Sequence, residues 1–480
     1  MTSQSSSLRQ MRPDPVIYQI YPRSFQDSDG DGVGDLAGVR ARLDHLVDLG
    51  VDALWLSPIY PSPMADFGYD VSDYQDVDPV FGTLADFDAL VEAAHERGFG
   101  VLLDIVPCHT SIEHPWFREH PDWYIWADEP NNWSSAFGGS AWSRLGERWY
   151  LHSFYPEQPD LDWRNPEVVA AMQDVLRFWL ERGVDGYRID AIDRLLKDAR
   201  LRDDPPATEA FGLPLREDEA RLALTNSRNA PDVGEALAQI RAAAGDAFLV
   251  GEVYLPSAKW QPYLDHFDAV FAFELLQAPW EAEPLRRAIE ATTTRAGAAW
   301  VMSNHDFGRL ATRFGAENAR AAAMLLLTLP GPAFLYQGDE IGQLDGPPGE
   351  SAHDRAGRDR FRHPMQWDAG PGGGFSAGRP WLPVLDPAGR NVEEQRADPK
   401  STLALVRELI ALRRELGDGF ELLQAEPGVI AYRRGAHVVA LNTTDEARPV
   451  PPELGEPLLV TSAHAVGRGQ LAPHAGAISR

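Results

Sequence analysis

GVDGYRID at 183–190, AFLVGE at 247–252 and AAWVMSNHD at 298–306 share one plan. Each is a short apolar run ending on an acid: Asp190, Glu252 or Asp306. Each is followed by a helix-like segment. Strands that alternate with helices lie parallel, and a long alternation closes into a barrel. Three acids at the carboxyl ends of separate strands then converge on one face, the face on which barrel enzymes build their active sites.

Working outward, the same pattern recurs. VIYQIYP (16–22), VDALWLSP (51–58) and GVLLDIVP (100–107) read as strands, with helical patterns at 36–49 and 84–97 between them. Further strands are expected at 184–190, 247–252, 268–273, 298–303 and 333–336, the first preceded by a helix over 166–182. The set predicts an α/β fold, a (β/α)8 TIM barrel over 14–104 and 166–416. Residues 105–165 are rich in Trp, Pro, Gly, Asn and Ser without a sustained period, and irregular stretches of this length are usually functional. They are expected to form an inserted subdomain after strand 3. A Gly/Pro-rich loop covers 341–396, and a last helix lies near 400–415. GVIAYRR and HVVALNT announce a small antiparallel β domain over 417–480. Residues 1–13 read as a flexible N-terminal arm.

The net charge of −28, from 44 basic and 72 acidic residues, argues against nucleic acid and anionic membranes as partners. With Cys108 alone, no intrachain disulfide forms, which fits a reducing compartment. No signal-like segment and no run of about 18 apolar residues is present, so the expected location is the cytoplasm.

DSDGDGVGD at 27–35 is the metal signal. Asp27, Asp29, Asp31 and Asp35 alternate with small residues, and glycine permits the tight turns. Such an oxygen cluster suits Ca²⁺, with Mg²⁺ as the alternative, and the Val33 carbonyl completes it. Four carboxylates this close repel one another without a cation. The site is far in sequence from the three acids, so a structural role is expected.

Together these segments resemble the α-amylase family, glycoside hydrolase family 13. DIVPCH (104–109), GYRIDA (186–191), GEVY (251–254) and MSNHD (302–306) are similar to its four conserved regions, in the family's order. QPDLDW (158–163), GDEIG (338–342) and RFRHPMQWD (360–368) resemble the oligo-1,6-glucosidase and exo-α-glucosidase branch. The resemblance implies a retaining α-glucosidase acting on short α-glucosides, as a monomer or homodimer. Asp190 would be the nucleophile and Glu252 the acid/base, with carboxyls about 5–5.5 Å apart in such enzymes. Glu252 would have to hold its proton near neutrality. Asp306 would stabilise the transition-state charge. Arg188, two residues before Asp190 on the same side of a strand, would keep Asp190 ionised.

Of the sugar-binding residues it implies, His109 and His305 hydrogen-bond the −1 sugar, and Tyr69 stacks on it. Asp66 pairs with Arg362 at the bottom of a blind pocket, a rigid bidentate arrangement with spare donors. Phe137 and Gln158 are candidates for the wall. Glucosyl transfer or sucrose-type isomerisation is the alternative activity on the same scaffold.

The chain departs from the pattern in places. Cys108 stands where the family has Asn, and a thiol suits a hard cation poorly, so a second calcium site is not expected. Ala191, small where the branch also uses Val, leans toward α-1,4 linkages by analogy. His363 and FGR at 307–309 are departures expected to face the aglycone.

Overall fold

The computed structural model describes residues 14–207, 221–349 and 353–480. The expected arm over 1–13 lies outside the described residues. Eight strands close a barrel: β1 Val16–Ile20, β2 Ala53–Leu56, β3 Gly100–Ile105, β4 Gly186–Ile189, β5 Phe248–Gly251, β6 Ala269–Phe271, β7 Ala298–Val301 and β8 Ala333–Tyr336. Neighbours in sequence pair in parallel, and β1 pairs with both β2 and β8. The expected barrel is therefore present.

The strands are short and buried on both faces, which is why they read as mainly apolar runs, broken by Gln19, Asp104 and Arg188. Alternate residues still divide between the faces. Ile17, Trp55, Leu102, Val250, Phe271, Val301 and Phe334 fill the interior as one cluster. Tyr18, Leu54, Leu103, Leu249 and Val270 face the helical shell.

Local signals explain the helices. Thr83 and Asp86 form a capping box at Leu84–Glu96. Asn165 caps Pro166–Glu181, with Pro at its first position. The helix expected over 36–49 is broken into Leu36–Ala41 and Leu43–Leu49. At the break, the Arg42 N–H bonds the Val39 carbonyl, one residue short of helical register.

Between β3 and β4 lies a three-stranded antiparallel sheet of Trp126–Ala127, Trp142–Leu145 and Arg148–Leu151. Its core is aromatic, with Trp133 and Trp142 stacked at 6.1 Å. After the barrel, a five-stranded antiparallel sheet runs Phe420–Leu422, Val429–Arg434, His437–Asn442, Gly476–Ser479 and Pro457–Val460 in spatial order. Arg434 ties this sheet to the barrel. It donates to Asp14 and to the carbonyls of Thr328 and Leu329.

Candidate active site

Asp190 and Glu252 are the residues immediately after β4 and β5. Ile189 lies opposite Gly251 in the ladder, so the two acids emerge side by side. A Cβ on Gly251 would sit 2.3 Å from Ile192 Cδ1, so a larger residue there needs the Ile192 side chain to shift. Asp306 differs from the expectation: β7 ends at Val301, and the acid stands on the loop beyond. The Asn304 carboxamide shapes that loop by accepting from the N–H groups of Asp306 and Phe307.

Arg188, at the centre of the cluster, is 1% exposed and contacts three carboxylates. Asp190 is 2.6 Å away, Glu252 2.7 Å and Asp104 2.8 Å. Arg188 and Asp104 are ladder partners on β4 and β3, which accounts for that contact. Asp104 also accepts from Tyr69 Oη at 3.0 Å and Trp55 Nε1 at 3.2 Å. Burial pushes Asp104 up to about 6, against Arg188 and these donors.

Arg188 was expected to keep Asp190 ionised, and the ion pair is there. Burial outweighs it, and the neighbouring Glu252 adds to the effect, so the Asp190 carboxyl lies well above the usual range.

Asp306 behaves oppositely. Burial raises it, but His305 and the cations Arg358, Arg362 and Arg188 hold it well below the carboxylate range. His305 Nε2 lies 3.2 Å away, Arg358 Nη1 2.9 Å and Arg362 Nη2 3.0 Å. Burial pushes His305 down to about 3, against the pull of Asp306. Gln19 Nε2 lies 2.8 Å from His305 Nδ1, and the ring stacks on Tyr69 with centroids 5.3 Å apart.

These groups surround a cavity of about 220 Å³. That is below the roughly 300–1,000 Å³ of drug-sized sites and suits one sugar ring. Asp66, Tyr69, His109, Phe137, Asp190, Glu252 and Asp306 line it, together with Tyr254, Phe307 and Arg358. Gln158, Arg188, His305 and Arg362 stand behind the lining and are almost fully buried. Gln158 Nε2 donates to Asp66 at 3.0 Å and lies 3.0 Å from His109 Nε2. Burial lowers His109, and its Nδ1 has no partner among the described residues. Phe137 stacks on Tyr155 at 4.2 Å.

The pairing of Asp66 with Arg362 is corrected. Asp66 bonds Arg358, and the same guanidinium reaches Asp306. Arg362 lies a layer deeper, donating to the His305 carbonyl at 2.9 Å and to Asp306. The two arginines flank the 3-10 turn Asp359–Phe361, and of them only Arg358 lines the cavity. In a 3-10 turn side chains three residues apart eclipse, so those at 358 and 362 diverge.

Residues 19–419 match the family described as alpha amylase, catalytic domain. The chain belongs to this family. It is a glycoside hydrolase of the α-glucosidase branch. A probable α-glucosidase of Rhizobium meliloti (strain 1021) is 41% identical over 479 residues, covering 86% of this chain and 85% of that one. An oligo-1,6-glucosidase of Parageobacillus thermoglucosidasius is 34% identical, covering 91% of each. A solved α-glucosyl transfer enzyme superposes with a TM-score of 0.88 at 38% identity, covering 97% of this chain and 99% of that one.

Three residues were missed in the sequence: Asp104, Arg358 and Tyr254. Asp104 sits within DIVPCH and Tyr254 within GEVY, so both lay inside the family's motifs. Of the departures, Phe307 does line the cavity. His363 does not: its ring nitrogens lie 2.8 and 3.2 Å from the carbonyls of Pro383 and Pro347, inside the loop after β8.

In the 27–35 loop, the carboxylates of Asp27, Asp29 and Asp35 lie within 4.8 Å of one another. Asp31 is not one of the group. It accepts from the Val33 N–H at 2.7 Å. Burial disfavours the charge on Asp27, but donors from Ser376, Gly30, Gly32 and Asp29 outweigh it, so its carboxyl lies below the ordinary value. Asp35 also caps Leu36–Ala41. These three carboxylates are hard oxygen donors of the kind that Ca²⁺ and Mg²⁺ take.

At Cys108, the Lys197 ammonium lies 3.7 Å from the thiol and 2.5 Å from Asp160. Burial above all pushes the thiol up to about 12, which leaves it inert. Among the described residues, no helix is long and apolar enough to cross a membrane.

Proposed function

We propose that the chain is a retaining, exo-acting α-glucosidase that hydrolyses short α-glucosides, preferring α-1,4 over α-1,6 linkages. One observation carries the reading: a single guanidinium, Arg188, touches both Asp190 and Glu252 on the wall of a one-sugar cavity. In the reactive state Asp190 is an anion against Arg188 and attacks the anomeric carbon, while Glu252, carrying a proton, gives it to the leaving oxygen. Water then cleaves the covalent glucosyl-enzyme with Glu252 as base. Asp306, held ionised, stabilises the oxocarbenium-like charge. Arg358 and Asp66 close the cavity and grip the terminal hydroxyls, while Tyr69, His109 and His305 seat the ring. Ca²⁺ at Asp27, Asp29 and Asp35 would be a structural ion.

A panel of maltose, isomaltose, sucrose, trehalose and starch, with the released anomer followed by NMR, tests this. The glucose freed from 4-nitrophenyl α-glucoside should appear first as the α-anomer, and maltose should be cut ahead of isomaltose. A first-formed β-anomer from that glucoside removes the retaining mechanism, and internal cleavage of starch with maltose untouched removes the closed pocket. Asp190→Asn should abolish turnover.

Glucosyl transfer is the second reading, favoured by the likeness to an enzyme described as transferring α-glucosyl groups. The ratio of free glucose to transfer product at high substrate separates the two.

A further inference from the structure

Tyr254 has no part in the reaction as described so far, yet it touches Glu252. It is the second residue beyond the acid, 6% exposed, and it lines the cavity. Its ring packs on Phe273 with centroids 4.5 Å apart, which holds the phenol in place. Its hydroxyl donates to Glu252 Oε1 at 3.2 Å.

The two oxygens of Glu252 are treated unequally. Oε1 receives Arg188 Nη2 at 2.7 Å as well as the Tyr254 hydroxyl. Among the described residues Oε2 receives one donor, the Ala191 N–H at 3.2 Å. A carboxylate oxygen has about two acceptor sites. Those of Oε1 are taken, and one on Oε2 remains.

We propose that Tyr254 is a positioning residue, which with Arg188 saturates Oε1 and so makes Oε2 the oxygen that carries and delivers the catalytic proton. This rests on the acid/base reading of Glu252. In the step, the Oε2–H bond breaks as an O–H bond forms on the leaving glycosidic oxygen. That oxygen keeps the electrons of the broken anomeric bond, and the Asp190 carboxylate supplies the pair for the new one. In the return step Oε2 takes a proton from water.

The charged and titratable groups around Glu252 are Arg188 and Asp190 at the end of β4, Asp104 on β3, Asp306 beyond β7, and Tyr254 itself. Only Tyr254 can be changed without removing a charge. Its hydrogen bond favours the Glu252 anion, so its loss should make the proton harder to remove.

The test is Tyr254→Phe, which keeps the ring on Phe273. The basic limb of the kcat/KM profile for maltose should move up by about half a unit to one unit, a threefold to tenfold change in ionisation constant. KM for maltose should change less than twofold. With 4-nitrophenyl α-glucoside, whose leaving group needs little protonation, the limb should barely register. An unmoved limb with maltose overturns the proposal, whatever happens to the rate. Glu252→Gln is measured alongside. If it hydrolyses maltose at the wild-type rate, the acid/base reading itself falls. If it is inactive on maltose while the Tyr254→Phe limb stays in place, only the role of Tyr254 is lost.

Discussion

Arg358 donates to Asp66 in the lining of the cavity, in a contact that joins the loop after β8 to the loop after β2. The same guanidinium lies 5.2 Å from the Phe137 ring and 2.9 Å from Asp306. Arg358→Ala removes hydrogen bonds to charged groups, each worth about 1.5–3 kcal/mol. We expect kcat/KM for maltose to fall by one to two orders of magnitude, mostly through KM, with Arg358→Lys intermediate. Steady-state kinetics with a melting curve checks this. A change in melting temperature with unchanged KM would make Arg358 a purely structural residue.

Asp339 sets a pH dependence of stability. It is buried behind the β7 and β8 ends, bonded to Ser303, and Oδ1 has no partner among the described residues. Burial pushes it up to about 7 from an ordinary 3.8, against Arg309 and Ser303. Between those values the folded chain holds a proton that the unfolded chain has lost. Its contribution is thus complete below about pH 4 and fades as pH rises to about 7. Asp339→Asn lacks this dependence. Its melting temperature relative to the parent should climb from pH 4 to pH 8, and a constant difference across calorimetric scans would refute the assignment.

The barrel was legible because strands buried on both faces are mainly apolar, Gln19, Asp104 and Arg188 apart, and the helices between them are amphipathic. Asp190 and Glu252 were legible because each follows its strand directly. Asp306 was found, but its five-residue loop from Val301 was not, since that path depends on Asn304 turning the chain. The pairing of Asp66 failed for a similar reason. Nothing in RDRFR says which arginine faces inward until the 3-10 turn is placed against His305. Nor did the raised Asp190 carboxyl follow from Arg188 at i−2, because burial and the second acid are tertiary facts.

Chelation tests the 27–35 loop. A ligand at a hundred times its dissociation constant adds about 2.7 kcal/mol to stability. EDTA should lower the melting temperature by a few degrees, and added Ca²⁺ should restore it. Asp27→Asn should abolish the response. Asp31→Asn should leave most of it, because Asp31 stands outside the three-carboxylate group. Equal effects of the two substitutions would contradict that grouping.

Lys197 and Asp160 form a buried ion pair joining the segment after β4 to the insertion. Burial disfavours the Asp160 charge, but Lys197 and Ser153 hold it ionised and below its ordinary value. Lys197→Met leaves that charge unpaired, at a cost of about 3–5 kcal/mol. Adding Asp160→Asn should recover part of the loss. Thermal melts of the single and double variants measure it, and strict additivity would mean that the two do not interact.

Ala191 links backbone strain to the acid. It sits in the left-handed region, at φ 44° and ψ 42°, and from there its N–H reaches Glu252 Oε2. A β-branched residue is disfavoured in that region by steric contact with its own backbone, at about 1–3 kcal/mol. Ala191→Val should therefore lower the melting temperature. It should also reduce kcat on maltose, since relief of the strain rotates the N–H away from Glu252. Ala191→Gly accepts the same angles and should keep both near the parent values. If Ala191 also favours α-1,4 linkages, the isomaltose-to-maltose ratio of kcat/KM should rise in Ala191→Val. Should the valine variant match the parent in stability and rate, neither the strain nor the contact to Oε2 matters to the reaction.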